Sequence, residues 1–207
     1  MAAKLAPRIE QTAAAMGVAL APPARAHVEA WLERLEEWNA RIDLTAARTP
    51  DELVDLMLAD ALMLAKHVPE GARVVDVGTG AGAPGMALAL LRPDLRVTLI
   101  EPLGKRASFL RTVIGQTGRT DVTLERARGE AVAGRRAWDV ATSRATLAPQ
   151  AWLDLAVTLA GPGGTAWVLL AREDAPSHPR AAVDADLAYT WPLTGAARRA
   201  VRYVVVS

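Results

Sequence analysis

Gly78, Gly80 and Gly82 alternate with Thr79 and Ala81 directly after the run Arg73-Val74-Val75-Asp76-Val77, and Pro84-Gly85 follow. The run reads as a short strand whose carboxyl end enters a glycine loop. Glycines let backbone approach a ligand where a Cβ would clash. The helix predicted after Pro84 would offer unpaired N–H groups, a seat for an anion such as a carboxylate. A second apolar strand over 95–101 ends on Glu101. Its carboxylate is placed to accept hydrogen bonds from two ribose hydroxyls. Loop and acid together imply a nucleoside-containing cofactor.

Residues 80–85 also fit G-x-G-x-x-G, a pattern that serves dinucleotides and is weak as a lone match. Two features favour S-adenosylmethionine (SAM). Asp76 stands two residues before the first glycine, where an acid suits a methionine ammonium and would repel a pyrophosphate. The loop also comes after some 70 residues of helical pattern, whereas dinucleotide domains commonly begin with it.

Other side chains could act on a second substrate. Arg144 follows the apolar strand 138–143, so it points near the ligand crevice, where its fork suits a phosphate or a base edge. It could equally form a structural ion pair with Asp60 or Asp76. Asp60 lies on one stripe with Leu53, Met57 and Leu64. An unpaired buried charge is costly, so Asp60 is either structurally paired or part of the active-site wall. Lys105 and Arg106 sit in the first turn of a predicted helix, against its dipole. They would contact substrate, pair with Glu101 or simply be exposed. The Arg198-Arg199-Arg202 cluster reads as a solvated face, and Trp31 and Trp38 read as core. No Ser-His-Asp set, carboxylate dyad or metal-ligand spacing stands out, and no metal is expected.

The elements that must position these groups alternate from residue 72 onward. Strands are expected over 73–77, 95–101, 121–126, 138–143, 164–170 and 199–206. Helices are expected over 86–91, 104–116 and 149–160, with Gly118 capping the second. Residues 173–185 read as loop. This alternation is the signature of a parallel sheet covered on both faces. Ahead of it come helices over 4–16 and from Arg25, where Val28, Trp31, Leu32, Leu35 and Trp38 share one face. A polar turn over 39–48 leads to a helix over 50–67, opened by the capping box Thr49-Pro50-Asp51-Glu52. The division is a helical extension, 1–70, packed on a core, 71–207.

Composition sets the outer limits. The 207 residues are 51% hydrophobic, ample for a core. There is no cysteine, which excludes disulfides and thiolate chemistry. The three histidines are widely spaced. A net charge of +1 gives no global basic field, so any nucleic-acid contact would be local. No signal peptide or membrane-length apolar run is present, so cytoplasmic location and no membrane partner are expected. A monomer is expected.

The same segments resemble the bacterial small-subunit ribosomal RNA guanine-N7 methyltransferases, also called glucose-inhibited division protein B. The likeness runs roughly from Trp31 to Leu170, plus the terminal strand. Trp38-Asn39 with Asp43-Leu44-Thr45 is similar to N-x-x-x-N-L-T-A, and Asp60 to the aspartate of H-x-x-D-S-L. Residues 76–85 resemble D-V-G-S-G-A-G-F-P-G. Glu101 with Lys105-Arg106 and Phe109-Leu110 resembles the second-strand acid and K-K-x-x-F-L. Arg128-Gly129-Glu130 resembles R-x-E, and Asp139 with Ser143-Arg144-Ala145 resembles D-V-V-x-S-R-A. The chain departs from these patterns at Met57, Ala61, Ala83 and Ala171-Arg172.

The resemblance implies a Rossmann-like class I SAM-dependent methyltransferase fold of the α/β class, with a mostly parallel seven-stranded sheet and an N-terminal helical extension. It implies SAM as cofactor, S-adenosylhomocysteine as product, and ribosomal RNA or the small ribosomal subunit as partner. Cofactor would lie against Asp76, Gly78, Thr79, Gly80, Gly82, Glu101, Pro102, Arg128, Gly129, Glu130 and Ser143. Arg144 and Asp60 would serve catalysis, and Lys105, Arg106, Arg144 and Arg172 would meet the substrate. A methyltransferase diverged to another substrate and a SAM-binding protein acting without catalysis are the competing readings.

Overall fold

A computed structural model describes residues 5–206. Seven strands form one sheet in the order β3-β2-β1-β4-β5-β7-β6. They are β1 (Arg73–Val77), β2 (Arg96–Ile100), β3 (Thr123–Glu125), β4 (Trp138–Ser143), β5 (Ala160–Leu170), β6 (Ala181–Thr190) and β7 (Ala197–Val205). The first five pair in parallel. β7 runs antiparallel to β5 and to the edge strand β6. The mostly parallel α/β sheet expected from the sequence is therefore present.

Alternation along the strands sends side chains to two cores. Val74, Leu99, Val140 and Trp167 face one of them. Their neighbours Val75, Ile100, Ala141 and Val168 face the other. The first face is covered by α1 (Ala6–Ala15), α2 (Pro22–Asn39), α5 (Gly85–Leu91) and α6 (Gly104–Thr117). The segment from α3 (Pro50–Val54) to α4 (Asp60–Ala65) adds Leu58 and Leu62 to that same core. The second face is covered by α7 (Pro149–Leu159) and Val132 of a short 3₁₀ turn. The apolar stripe of α2 behaves as read, with Val28, Trp31, Leu32 and Leu35 fully buried.

Two local features differ from the sequence reading. The helix over 50–67 is not continuous, because Asp55–Ala59 between α3 and α4 forms one π turn. Its start is as expected: Thr49 Oγ1 accepts the Glu52 N–H at 3.2 Å, and Glu52 reaches back to the Arg48 N–H at 2.7 Å. Strand β6 occupies part of the stretch read as loop over 173–185. Its alanines and aspartates have low strand propensity, and it is held as an edge by pairing with β7. Arg199 and Arg202 on β7 reach Asp186 and Asp184 on β6, so two members of the arginine cluster are paired. The first helix begins at Ala6, and its expected start at Lys4 lies outside the described residues.

Candidate functional site

The strand order reverses between β1 and β4, and an open parallel sheet binds ligand in the crevice at such a point. A cavity of about 690 Å³ lies there. Gly78, Thr79 and Gly80 form one wall with Glu101 and Pro102, and Arg128, Gly129 and Glu130 form another. The roof comes from the helical extension: residues 43–46 after α2, and Leu56 and Met57 on the π turn. Asn39 shapes that roof, its Oδ1 accepting the N–H groups of Leu44 at 2.8 Å and Thr45 at 3.0 Å.

Glu101 is 1% exposed. One carboxylate oxygen accepts the Gly80 N–H at 2.9 Å and the other the Leu103 N–H at 2.8 Å. An ionised carboxylate has about four acceptor sites, so about two remain for a ribose diol. Gly80 has φ +62°, and open space lies where its Cβ would be.

Asp76 is completely buried behind the loop. Its Oδ2 accepts the Gly85 N–H at 2.8 Å, while Oδ1 has no partner among the described residues. Desolvation pushes its pKa up to about 6, against the opposing pull of the nearby Thr79 hydroxyl, the Gly85 N–H and the Arg144 charge. An orphaned buried acceptor calls for a donor. Asp76 does not itself line the cavity; the ammonium of SAM, seated at the glycine loop in front of it, would supply positive charge beside it. The residues present therefore fit that cofactor.

Gly82 lines no part of the cavity. A Cβ there would lie 2.7 Å from Met86 Cβ and 3.1 Å from Trp31 Cζ2. Its missing side chain seats Trp31, whose Nε1 donates to Ala81 O at 3.1 Å. Trp31 is thus core, as the sequence suggests, and also ties α2 to the glycine loop. Only its type and burial were legible; its polar contact was not.

Arg144 leaves the end of β4 and lies between two cavities, lining both. Its Nη1 donates to Leu56 O and faces Asp60 Oδ2 at 3.4 Å. Asp60 borders the second, smaller cavity and not the cofactor cavity. It also accepts the Tyr189 hydroxyl at 2.8 Å and Trp191 Nε1 at 2.7 Å. Burial and the Asp60 charge hold the Tyr189 hydroxyl well above the ordinary phenol range. The structure supplies the structural pairing, with Arg144 as partner, and also places Asp60 on the wall of the smaller cavity. Tyr189 and Trp191 had no place in the sequence reading, because the end of β6 and the turn after it meet Asp60 only in three dimensions.

Arg106 lines the cofactor cavity, and its buried Nε has no partner among the described residues. Lys105 and Arg172 are exposed and line neither of these two cavities. Neither Lys105 nor Arg106 pairs with Glu101. Ser143 lines the smaller cavity, and its hydroxyl donates to Val77 O at 2.7 Å. No group of three or more His, Cys, Asp or Glu among the described residues could hold a metal ion. No helix among them is long and apolar enough to cross a membrane.

Known proteins share this arrangement. The O-methyltransferase from Bacillus cereus, solved in complex with SAH, superposes with a TM-score of 0.59 at 18% identity, covering 84% of this chain and 90% of that one. A putative rRNA-methylase from Clostridium thermocellum gives a TM-score of 0.52 at 17% identity, over 72% and 94% of the two chains. At these identities the likeness is one of fold. In sequence, the ribosomal RNA small subunit methyltransferase G of Anaeromyxobacter dehalogenans is 34% identical over 202 residues, 91% of this chain and 92% of its own. That of Stenotrophomonas maltophilia (strain K279a) is 37% identical over 178 residues, 85% and 80% of the two chains. The GidB family model, described as rRNA small subunit methyltransferase G, matches residues 24–178. The glycine loop, Glu101 and Arg144 all lie inside that match, and the chain belongs to the rRNA small subunit methyltransferase G family of SAM-dependent methyltransferases.

Proposed function

We propose that this protein transfers the methyl group of SAM to N7 of a guanine in small-subunit ribosomal RNA, as a monomer in the cytoplasm. The observation that carries this reading is the position of Arg144, anchored between the cofactor cavity and a second cavity at the ends of β4 and β5. SAM, when bound, supplies a methyl group activated by its sulfonium. Guanine N7 is an unprotonated lone pair at neutral pH, so no general base is needed. What the protein must provide is alignment.

Glu101 and the loop backbone fix the ribose and methionine ends. Arg128, Gly129 and Glu130 border the adenine side. Residues 43–46 and Met57 would cover one side of the bound cofactor. Arg144 orients the acceptor, with Asp60 holding its guanidinium in place. Lys105, Arg106 and Arg172 supply local positive charge for phosphates on a chain whose net charge is only +1.

The test is transfer of labelled methyl from SAM to small subunits isolated from a strain lacking the enzyme, followed by mass-spectrometric mapping. Label in 7-methylguanosine is expected. RNA binding should fall steeply with salt, as phosphate contacts release counterions. Tight SAM binding with no label in naked RNA or subunits would overturn the proposal.

A further inference from the structure

The smaller cavity, about 200 Å³, lies below the ~300–1,000 Å³ of sites for drug-sized ligands and suits one planar base. Leu147, Trp152 and Trp191 give it apolar walls. Arg198 lies 3.8 Å over the Trp191 ring and braces it. Four charged side chains line it: Asp60 is committed to Arg144, Tyr189 and Trp191, and Arg198 lies on Trp191, which leaves Arg144 and Glu173 to meet a ligand. Arg144, shared with the cofactor cavity, has Nη1 committed to Leu56 and Asp60, while Nε and Nη2 make no hydrogen bond among the described residues. Glu173 lies at the exposed rim. One of its oxygens accepts the N–H groups of Ala171 at 2.9 Å and Arg172 at 3.0 Å. The other oxygen, Oε1, has no hydrogen bond among the described residues.

A cation and a carboxylate on one apolar slot match one purine. Guanine carries acceptors N7 and O6 on one edge. On the edge away from N7 it carries two donors, N1–H and the 2-amino group. Adenine reverses the polarity at both groups that tell the bases apart. Its 6-amino donor would meet Arg144, and its N1 acceptor would meet the carboxylate.

We propose that Glu173 is the residue that reads the acceptor base as guanine, accepting N1–H and the 2-amino group while the free side of Arg144 donates to O6. This rests on the guanine-N7 reading above. Because Arg144 borders both cavities, this orientation turns the N7 edge toward the cofactor. Backbone N–H groups of its own turn, from Glu173, Ala171 and Arg172, hold the Glu173 pKa below the ordinary range, so the acceptor is charged at neutral pH.

Inosine lacks only the 2-amino group and provides the test. Small-subunit RNA is ligated with guanosine or inosine at the mapped methylated position, and kcat/KM is measured on each. Wild type should prefer guanosine by about tenfold, within the range of one bidentate base contact. Glu173→Ala should lose that preference, with SAM affinity unchanged by calorimetry. Glu173→Gln keeps the size of the side chain and one acceptor oxygen, and should fall between. It also carries the test if the alanine variant melts early. A general loss of structure would lower both rates without changing their ratio. Equal rates on guanosine and inosine by wild type, or a preference retained in both variants, would overturn the role of Glu173 and leave the methyltransferase reading intact. Wild-type protein that methylates no guanine would overturn both.

Discussion

Removing the Asp60 carboxylate isolates the part of the site that holds Arg144. Asp60 and Arg144 side chains are only 3% and 17% exposed. In Asp60→Ala the guanidinium keeps Leu56 O but loses its counter-charge, and Trp191 Nε1 and the Tyr189 hydroxyl lose their acceptor. Breaking one side of a buried pair costs about 3–5 kcal/mol. That is a large share of the ~5–15 kcal/mol that holds a domain folded. Asp60→Asn keeps an oxygen for Tyr189 and Trp191 but removes the charge. Hydrogen bonds to charged groups are worth ~1.5–3 kcal/mol and neutral ones ~0.5–1.5, so the loss should be about 1–2 kcal/mol. Urea denaturation gives the two stabilities. Methyl transfer by Asp60→Asn should drop at least tenfold as Arg144 loses its orientation, with SAM affinity within about twofold of wild type. An alanine variant less than about 1 kcal/mol below wild type would refute the energetic argument. An asparagine variant that loses SAM binding in step with methyl transfer would refute the separation of Asp60 from the cofactor cavity.

Glu101→Ala should weaken SAM binding by about 1.5–3 kcal/mol, the worth of hydrogen bonds to a charged group, read by isothermal titration. Unchanged affinity would place the ribose elsewhere. Trp31→Phe strands the buried Ala81 carbonyl at about 1–3 kcal/mol, lowering Tm by roughly 2–10 °C and loosening SAM binding with it. Asp76 links both stability and binding to pH. Its folded pKa of about 6 lies above the ordinary 3.8, so without ligand its stabilising contribution is present below pH 3.8 and lost as pH rises through about 6. An ammonium beside it favours the ionised form, so SAM affinity should fall as pH drops below about 6, by up to about tenfold per unit. Calorimetry between pH 5 and 7 should show this for wild type and a flatter profile for Asp76→Asn.

The glycine loop and the acid at the end of the next strand were legible because they are local. Residues 76–82 and Glu101 close one strand-loop-helix-strand unit, and neighbours in sequence are neighbours in space. The smaller cavity beside Arg144 is built from distant segments. Asp60, Arg144, Tyr189 and Trp191 are separated by 84 to 131 residues wherever they bond, and no local pattern announces such contacts. Asp60 was conspicuous as a charge on an apolar stripe, but that signal does not name its partners. Strand β6 escaped for a related reason. An edge strand of alanines and aspartates is held by its partner's ladder and by the Arg199 and Arg202 pairs, none of which its own composition encodes.

The π turn explains how one short segment serves both fold and site. Asp55 and Asp60 are five residues apart, and in a regular α-helix they would point about 140° away from each other. Bonding from i to i+5 instead brings such residues near one face. Here both carboxylates meet the turn that joins β6 to β7. Asp55 accepts the N–H groups of Leu193 at 3.0 Å and Thr194 at 2.8 Å, with the Thr194 hydroxyl also at 2.8 Å. Asp60 accepts from Tyr189 near the end of β6 and from Trp191 at the start of the same turn. Both buried carboxylates of this segment are thereby supplied with donors. The same distortion places the Leu56 carbonyl and Asp60 together against Arg144. A helix from the N-terminal extension thus fixes the cation at the end of β4, and it does so by clamping the C-terminal hairpin that walls the smaller cavity.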